Sequence, residues 1–224
     1  MNMDWYPLYN SLRIAAISCV IVFFAGIFFA YYAAKLPRWL KGILDVFLTL
    51  PMVLPPTVCG YFLLLLAGIR RPLGIFLMRF GVKFVMTWYG GILAAAVVAF
   101  PLMYRTARGA FESFDENLAY AGKTLGLSNS YIFWRVRMPA CRPGILAGTV
   151  LAFARALGEY GATSMLIGYI PGRTATISTT VYQLWRTDDE AGAFFWVMVN
   201  LAISTVVLLT VNLLEAKQKK AVAK

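Results

Sequence analysis

Hydrophobic positions fall in five long runs, at about 11–34, 42–68, 88–108, 144–167 and 192–214, with shorter polar connections between them. Crossing a hydrocarbon core takes about 20 residues at helical rise, so each run predicts a transmembrane helix. Together they make one domain, residues 1–224. In the fourth run Gly144, Gly148, Ala152 and Ala156 recur every four residues. That leaves one helix face nearly bare and predicts close approach by a neighbouring backbone. The second run contains "LPMVLPPTVCGY", with Pro51, Pro55, Pro56 and Thr57 at membrane depth. Proline removes a backbone donor and clashes with the preceding turn. Such a segment is either a kinked packing helix or one that lines a pathway, because broken backbone at that depth needs protein or water to satisfy it.

Two of the connections carry a pattern of their own. The segment 69–87 is basic and carries the short apolar piece "PLGIFLMRFG". The segment of about 109–143 is the longest polar stretch. It predicts a short helix over 113–125, a break at Gly126, and a second helix through "YIFWRVRM" capped at Ser128 and ended by Pro139 and Pro143.

Composition agrees with the pattern. Of 224 residues 60% are hydrophobic and 14% charged, and the mean hydropathy is +0.69; soluble domains carry about a quarter charged residues. The first run is read as a retained span, since Asp4 and no basic cluster precede it. Basic residues set the expected orientation. Thirteen cations share one side: Lys35, Arg38 and Lys41, six between Arg105 and Arg142, and Lys217, Lys219, Lys220 and Lys224. Six lie on the other: Arg70, Arg71, Arg79, Lys83, Arg173 and Arg186. Positive charge marks the cytoplasm, which places the N-terminus outside and the C-terminus inside. The net charge of +11 is then topology, and no nucleic-acid partner is expected. Arg70 and Arg71 are a solvated loop, a contact for a partner's acidic rim, or a field that steers an arriving anion. Histidine is absent, which removes histidine general-base chemistry and most zinc sites. No metal site is expected, and Cys19, Cys59 and Cys141 are too far apart for a CxxC pair.

Within "VLAFARALGEYGAT" stand Arg155 and Glu159. Arg155 lies eleven residues beyond Gly144, about 16 Å along a helix and near the middle of a core about 30 Å thick. A charge there needs a partner and faces the bundle interior; Glu159, one turn on, is the obvious one. Arg before Glu is the weaker order for supporting a helix, so two roles stay open: a buried pair that fixes packing, or a pair beside an anion's route.

"AGKTLG" at 121–126 is no phosphate loop, because Asn117 stands where a glycine should and no strand precedes it. The surrounding "AYAGKTLGLSNSYIFWRVRMP" resembles the coupling loop of ABC-importer permeases. In that family a glycine is followed after nine residues by an aliphatic residue and then by Leu-Pro, matched here by Gly126, Val136, Met138 and Pro139. The family's glutamate belongs near Ala119 or Tyr120, and neither is acidic; Glu116 is the nearest, about one turn earlier. "LPMVLPPTVCGYFLLLLAGIRRPLG", "AFPLMYRTARGAFESFD" and "GTVLAFARALGEYGAT" are similar to the molybdate type of such permeases, within a group that also carries sulfate and tungstate. The likeness runs from about residue 8 to 215.

That resemblance implies an all-α integral membrane protein of the type I ABC-importer permease kind, in a prokaryotic plasma membrane. It implies a homodimer whose coupling loops, with Glu116, Ala119, Tyr120, Ala121, Gly122, Lys123, Gly126, Val136, Met138 and Pro139, dock on two ATP-binding subunits. An extracytoplasmic binding protein would deliver molybdate or tungstate to a pathway near Pro55, Pro56, Thr57, Arg155 and Glu159. ATP and magnesium belong to the partner; this chain holds no cofactor and no catalytic residue. A sulfate permease of the same group is the alternative. A gradient-driven transporter would show an internal repeat with paired broken segments.

Overall fold

The computed structural model describes residues 4–222, with side chains as far as residue 210; the cations at 217, 219, 220 and 224 lie outside those side chains. Every regular element among the described residues is helical. They run α1 (Tyr6–Ala34), α2 (Arg38–Val53), α3 (Pro56–Ala67), α4 (Pro72–Arg79), α5 (Trp88–Glu112), α6 (Glu116–Thr124), α7 (Asn129–Ile132), a π-helical turn (Phe133–Arg137), α8 (Met138–Leu157), α9 (Gly161–Ile167), α10 (Ile177–Arg186) and α11 (Glu190–Val222).

The core is α1, α5 and α8, and small residues hold it together. A Cβ on Gly26 of α1 would fall 2.5 Å from Met103 Cγ of α5, and one on Gly91 of α5 2.6 Å from Ile14 Cδ1 of α1. The small-residue stripe of the fourth run meets α5 in the same way. Gly144 faces Ala110 Cβ at 2.7 Å, and Gly148 faces Met103 and Thr106 at 3.1 Å. Ala15, Ala30, Ala94, Ala95 and Ala99 are fully buried in this seam. Between apolar helices in lipid the gain is packing and interhelical hydrogen bonding rather than loss of water. The Ser18 hydroxyl supplies one such bond, donating to the Ile92 carbonyl at 3.0 Å.

Four helices are long and apolar enough to span a bilayer, and a bent pair can supply a fifth. The second run is therefore not one straight span. α2 and α3 meet at 112°, and the prolines dictate the bend. A residue before proline is pushed out of the α region; Leu54, before Pro55, and Pro55, before Pro56, sit at ψ 143° and 136°. Pro56, whose missing donor is harmless in a first turn, then starts α3. The fourth run is corrected too. Its helix stops at Leu157, and Gly158, Glu159 and Tyr160 form a break before α9.

Pro139 and Pro143 do not end the helix that begins at Asn129; it continues without interruption to Leu157. The wide turn at Phe133–Arg137 adds the local slack that accommodates a proline. The connection after α9, for which the sequence pattern predicts no helix, contains α10, opened by a reciprocal Thr176–Thr179 capping box. The start of α1 holds this region. The Asn10 amide donates to the Thr174 and Ala175 carbonyls at 3.2 and 2.9 Å, and Ser11 Oγ accepts the Ile177 N–H at 2.9 Å. Between α10 and α11, Asp189 caps α11 by accepting the Gly192 N–H at 2.9 Å.

Replacing Gly60 tests the α3–α9 contact. Its added Cβ would lie 2.8 Å from Ala162 Cα, a backbone atom that cannot swing aside. Gly60→Val should cost about 1–3 kcal/mol, read as a lowered thermal midpoint in detergent. An unchanged midpoint would mean that α3 and α9 do not pack this closely.

Candidate functional site

The two interruptions lie against each other. A Cβ on Gly161 at the start of α9 would come 2.9 Å from Pro56 Cβ and 3.1 Å from the Thr57 nitrogen. Pro55, Pro56 and Thr57 are thus brought beside the Glu159 break, while Pro55 and Thr57 keep an exposed face. Arg155 stands in the last turn of α8, with Nη1 2.6 Å from Glu159 Oε2. Because Glu159 is past the helix end, the pair is not a rung of one helix, and helix support is not its role. The side chains differ sharply in exposure, 33% for Arg155 and 1% for Glu159. Glu159 Oε1 accepts the Ala162 N–H at 2.8 Å, so one carboxylate serves α9's first turn and the arginine together. The arginine contact is ionic rather than an aligned hydrogen bond, leaving guanidinium donors for another acceptor.

At the far end of α5 the polar segment folds into an elbow. Asp115 caps α6 by accepting the Asn117 N–H at 2.9 Å, and Ser128 caps α7 by accepting the Tyr131 N–H at 3.2 Å. Between them Gly126 takes φ +77°, a conformation that glycine adopts at no steric cost. The Leu127 N–H reaches back to the Gly122 carbonyl at 3.0 Å and closes a Schellman turn. Gly122 backs onto Ile132, where an added Cβ would sit 3.1 Å from Cγ1.

The predicted coupling residues divide between the inside and the outside of this elbow. Ala119 and Gly122 are buried, Val136 and Met138 half-buried, and Ala121, Lys123, Gly126 and Pro139 exposed. Of the two positions where the related loop carries glutamate, Ala119 is 4% exposed and Tyr120 59%. Glu116 is tied inward: both carboxylate oxygens take Arg137 guanidinium nitrogens at 2.7 Å. Arg137 is 7% exposed, 4.4 Å from the Phe114 ring and 5.7 Å from the Tyr31 ring of α1. Its guanidinium holds the Glu116 carboxyl below the usual carboxylate range, against the upward push of partial burial and with help from Lys35 and Lys123. Outward the elbow offers Leu118, Leu125, Tyr131 and Trp134, all at least half exposed.

Sequence reasoning missed a second polar cluster, which ties α2 to α5. The Tyr104 hydroxyl donates to Asp45 Oδ1 at 2.5 Å, Arg108 pairs with the same carboxylate, and Lys41 pairs with Glu112 at 2.8 Å. The signal was available: Asp45 is a lone carboxylate inside an apolar run, and such a charge needs a partner.

A multi-pass helical membrane protein, with two interrupted helices meeting at a charged pair and an amphipathic elbow outside the bundle, is a transport component. The chain belongs to the family described as the binding-protein-dependent transport system inner membrane component, which matches residues 23–220. It is 41% identical over 208 residues to the molybdenum transport system permease protein ModB of Escherichia coli K12, covering 92% of this chain and 91% of that protein. To a probable sulfate transport system permease protein of Chlorokybus atmophyticus it is 31% identical over 206 residues, or 92% of this chain and 72% of that one. Its fold is similar to a chain of a bacterial alginate ABC transporter solved with its periplasmic protein. The TM-score is 0.77 at 16% identity, covering 98% of this chain and 81% of the other.

The elbow brace has a pH signature. A carboxylate whose pKa is lower folded than unfolded stabilises above the unfolded value, and that stability is lost as pH falls through the folded one. The thermal midpoint of the wild type over Glu116→Gln should therefore be constant from neutral pH down to the ordinary carboxylate range and shrink below it. Glu116→Leu, which leaves the buried Arg137 guanidinium without its partner, should cost about 2 kcal/mol. A wild-type advantage that grew in acid would contradict the brace.

Proposed function

We propose that this chain is the membrane permease of an ATP-driven importer for a tetrahedral oxyanion, molybdate, and that it works as a homodimer with two separate ATPase subunits. The observation that carries this reading is one continuous helix, Asn129–Leu157, with the amphipathic elbow at one end and Arg155 beside Glu159 at the other. The greater identity to a molybdenum permease than to a sulfate permease, 41% against 31%, favours molybdate; tungstate has the same charge and shape. The basic residues favour an elbow in the cytoplasm, with the N-terminus outside and the C-terminus inside.

Each elbow would seat its exposed Leu118, Leu125, Tyr131 and Trp134 in a groove of an ATPase subunit. Closure of the ATPase pair moves the elbows, and the 129–157 helix carries that motion to the paired breaks. The cycle is alternating access, driven by differential affinity of nucleotide and cargo for two states. An anion must enter readily and still leave. Arg155 supplies the attraction, and Glu159, holding one side of the guanidinium, keeps that attraction from becoming a trap. No covalent step falls to this chain.

Hydrolysis of ATP should be measured in the complex reconstituted with its ATPase and binding protein, titrating molybdate, tungstate and sulfate separately. Molybdate and tungstate should stimulate at far lower concentration than sulfate. Stimulation by sulfate alone would overturn the cargo, and no assembly with any ATPase would overturn the reading and favour a gradient-driven carrier.

The charged pair can be separated from the fold that it supports. Arg155→Gln strands a buried carboxylate, a loss of about 3–5 kcal/mol, and should lower protein abundance. Arg155→Gln with Glu159→Gln removes both charges and keeps an acceptor for the Ala162 N–H. At normal abundance the double variant should lose transport; full transport would show the pair to be packing alone.

A further inference from the structure

A cavity of about 270 Å³ lies between the end of α1 and the inner face of the elbow, away from the Arg155–Glu159 pair. Its walls include Tyr31, Lys35, Glu116, Tyr120, Lys123 and Arg137. Three cations there face one carboxylate. That carboxylate is already spent, since both Glu116 oxygens are held by Arg137. Among the described residues neither Lys35 nor Lys123 makes an ion pair. The Lys35 ammonium donates instead to the Tyr31 hydroxyl at 2.5 Å and lies 3.8 Å from the centre of that ring. Lys123 lies 5.8 Å from the Tyr120 ring. The cavity thus carries two more positive charges than carboxylates, beside phenol hydroxyls that can donate.

We propose that this cavity binds a phosphate-type oxyanion, which bridges Lys35 at the end of a span to Lys123 on the elbow. The excess charge selects an anion, and the ammonium and hydroxyl donors suit a tetrahedral group with several acceptor oxygens. Tyr31 and Lys35 form the last turn and the cap of α1, which places the cavity at headgroup depth. Basic pockets at that level take lipid headgroups, so the ligand's source is an anionic lipid or a free oxyanion. Either way the anion joins α1 to α6 and holds the elbow against the bundle, the element whose movement any coupled partner would use. The proposal requires only that the elbow lies at a membrane face, and does not depend on molybdate being the cargo.

The test uses the full chain in phosphatidylcholine nanodiscs and radiolabelled inorganic phosphate in equilibrium dialysis. The wild type should bind phosphate, and Lys35→Gln with Lys123→Gln should weaken binding roughly thirtyfold; both side chains are exposed, so the fold should survive. Glu116→Gln removes the one carboxylate and should tighten binding. Discs containing phosphatidylglycerol then separate the sources. Loss of phosphate binding there identifies the headgroup as the ligand, and unchanged binding identifies a free oxyanion. Equal phosphate binding by wild type and double lysine variant, or none by either, overturns the proposal. So does a result in which Lys123→Gln changes only assembly with an ATPase, which would make the cavity part of a protein contact.

Discussion

A backbone amide left bare in hydrocarbon costs several kcal/mol, so a membrane helix can be interrupted only where something else covers the break. This chain interrupts two, at Leu54–Pro55 and at Gly158–Tyr160, and the rest of the bundle is arranged to let the two cover each other. Gly60 and Gly161 permit the contact, because a side chain at either would run into backbone across the gap. Glu159 completes it by accepting an amide of α9's first turn. The buried charge is therefore not an addition to an otherwise apolar helix. It is what allows the helix to stop there, and Arg155 is what allows the charge.

The same economy governs the elbow. Arg137 lies at the start of a long helix, yet its guanidinium reaches 21 residues back to Glu116 and is flanked by rings from Phe114 and from Tyr31 of α1. One side chain thus ties the first helix of the elbow, the first span and the fourth span together. An isolated helix of nine residues, the length of α6, would not persist in water alone. Caps at Asp115 and Ser128, the left-handed Gly126 and this brace give the elbow a fixed shape.

Much of this was legible in the sequence because the bilayer forces it. The small-residue stripe from Gly144 to Ala156, the elbow's glycine and the Ser128 cap all follow from local rules, and the structure contains each of them. The pairing of Arg155 with Glu159 was legible for the same reason. Where the breaks fall was less so. Pro55 and Pro56 announced a fault, but its angle depends on α9 across the gap, and the stop at Leu157 depends on an acceptor supplied by the break itself. Pro139 and Pro143 misled, because a widened turn upstream absorbs proline without ending the helix. The Glu116–Arg137 and Asp45–Tyr104–Arg108 pairings are non-local, and composition alone cannot match such partners.

The cluster between α2 and α5 joins the two halves of this account. α2 has no fully buried residue; half-buried Leu44 and Leu48 pack on the core, and Lys41 and Asp45 grip Glu112, Arg108 and Tyr104 near the end of α5. From that end α5 runs directly into the elbow, and from its other end α2 runs into the Pro55 break. The elbow and the paired breaks are therefore joined by two continuous routes, along the 129–157 helix to Arg155 and through α5 and α2 to Pro55. Salt bridges with exposed edges can exchange partners at small cost, whereas the alanine and glycine seams of α1, α5 and α8 cannot loosen without opening voids. The polar cluster is thus where this fold can yield, and the small-residue seams are where it must hold.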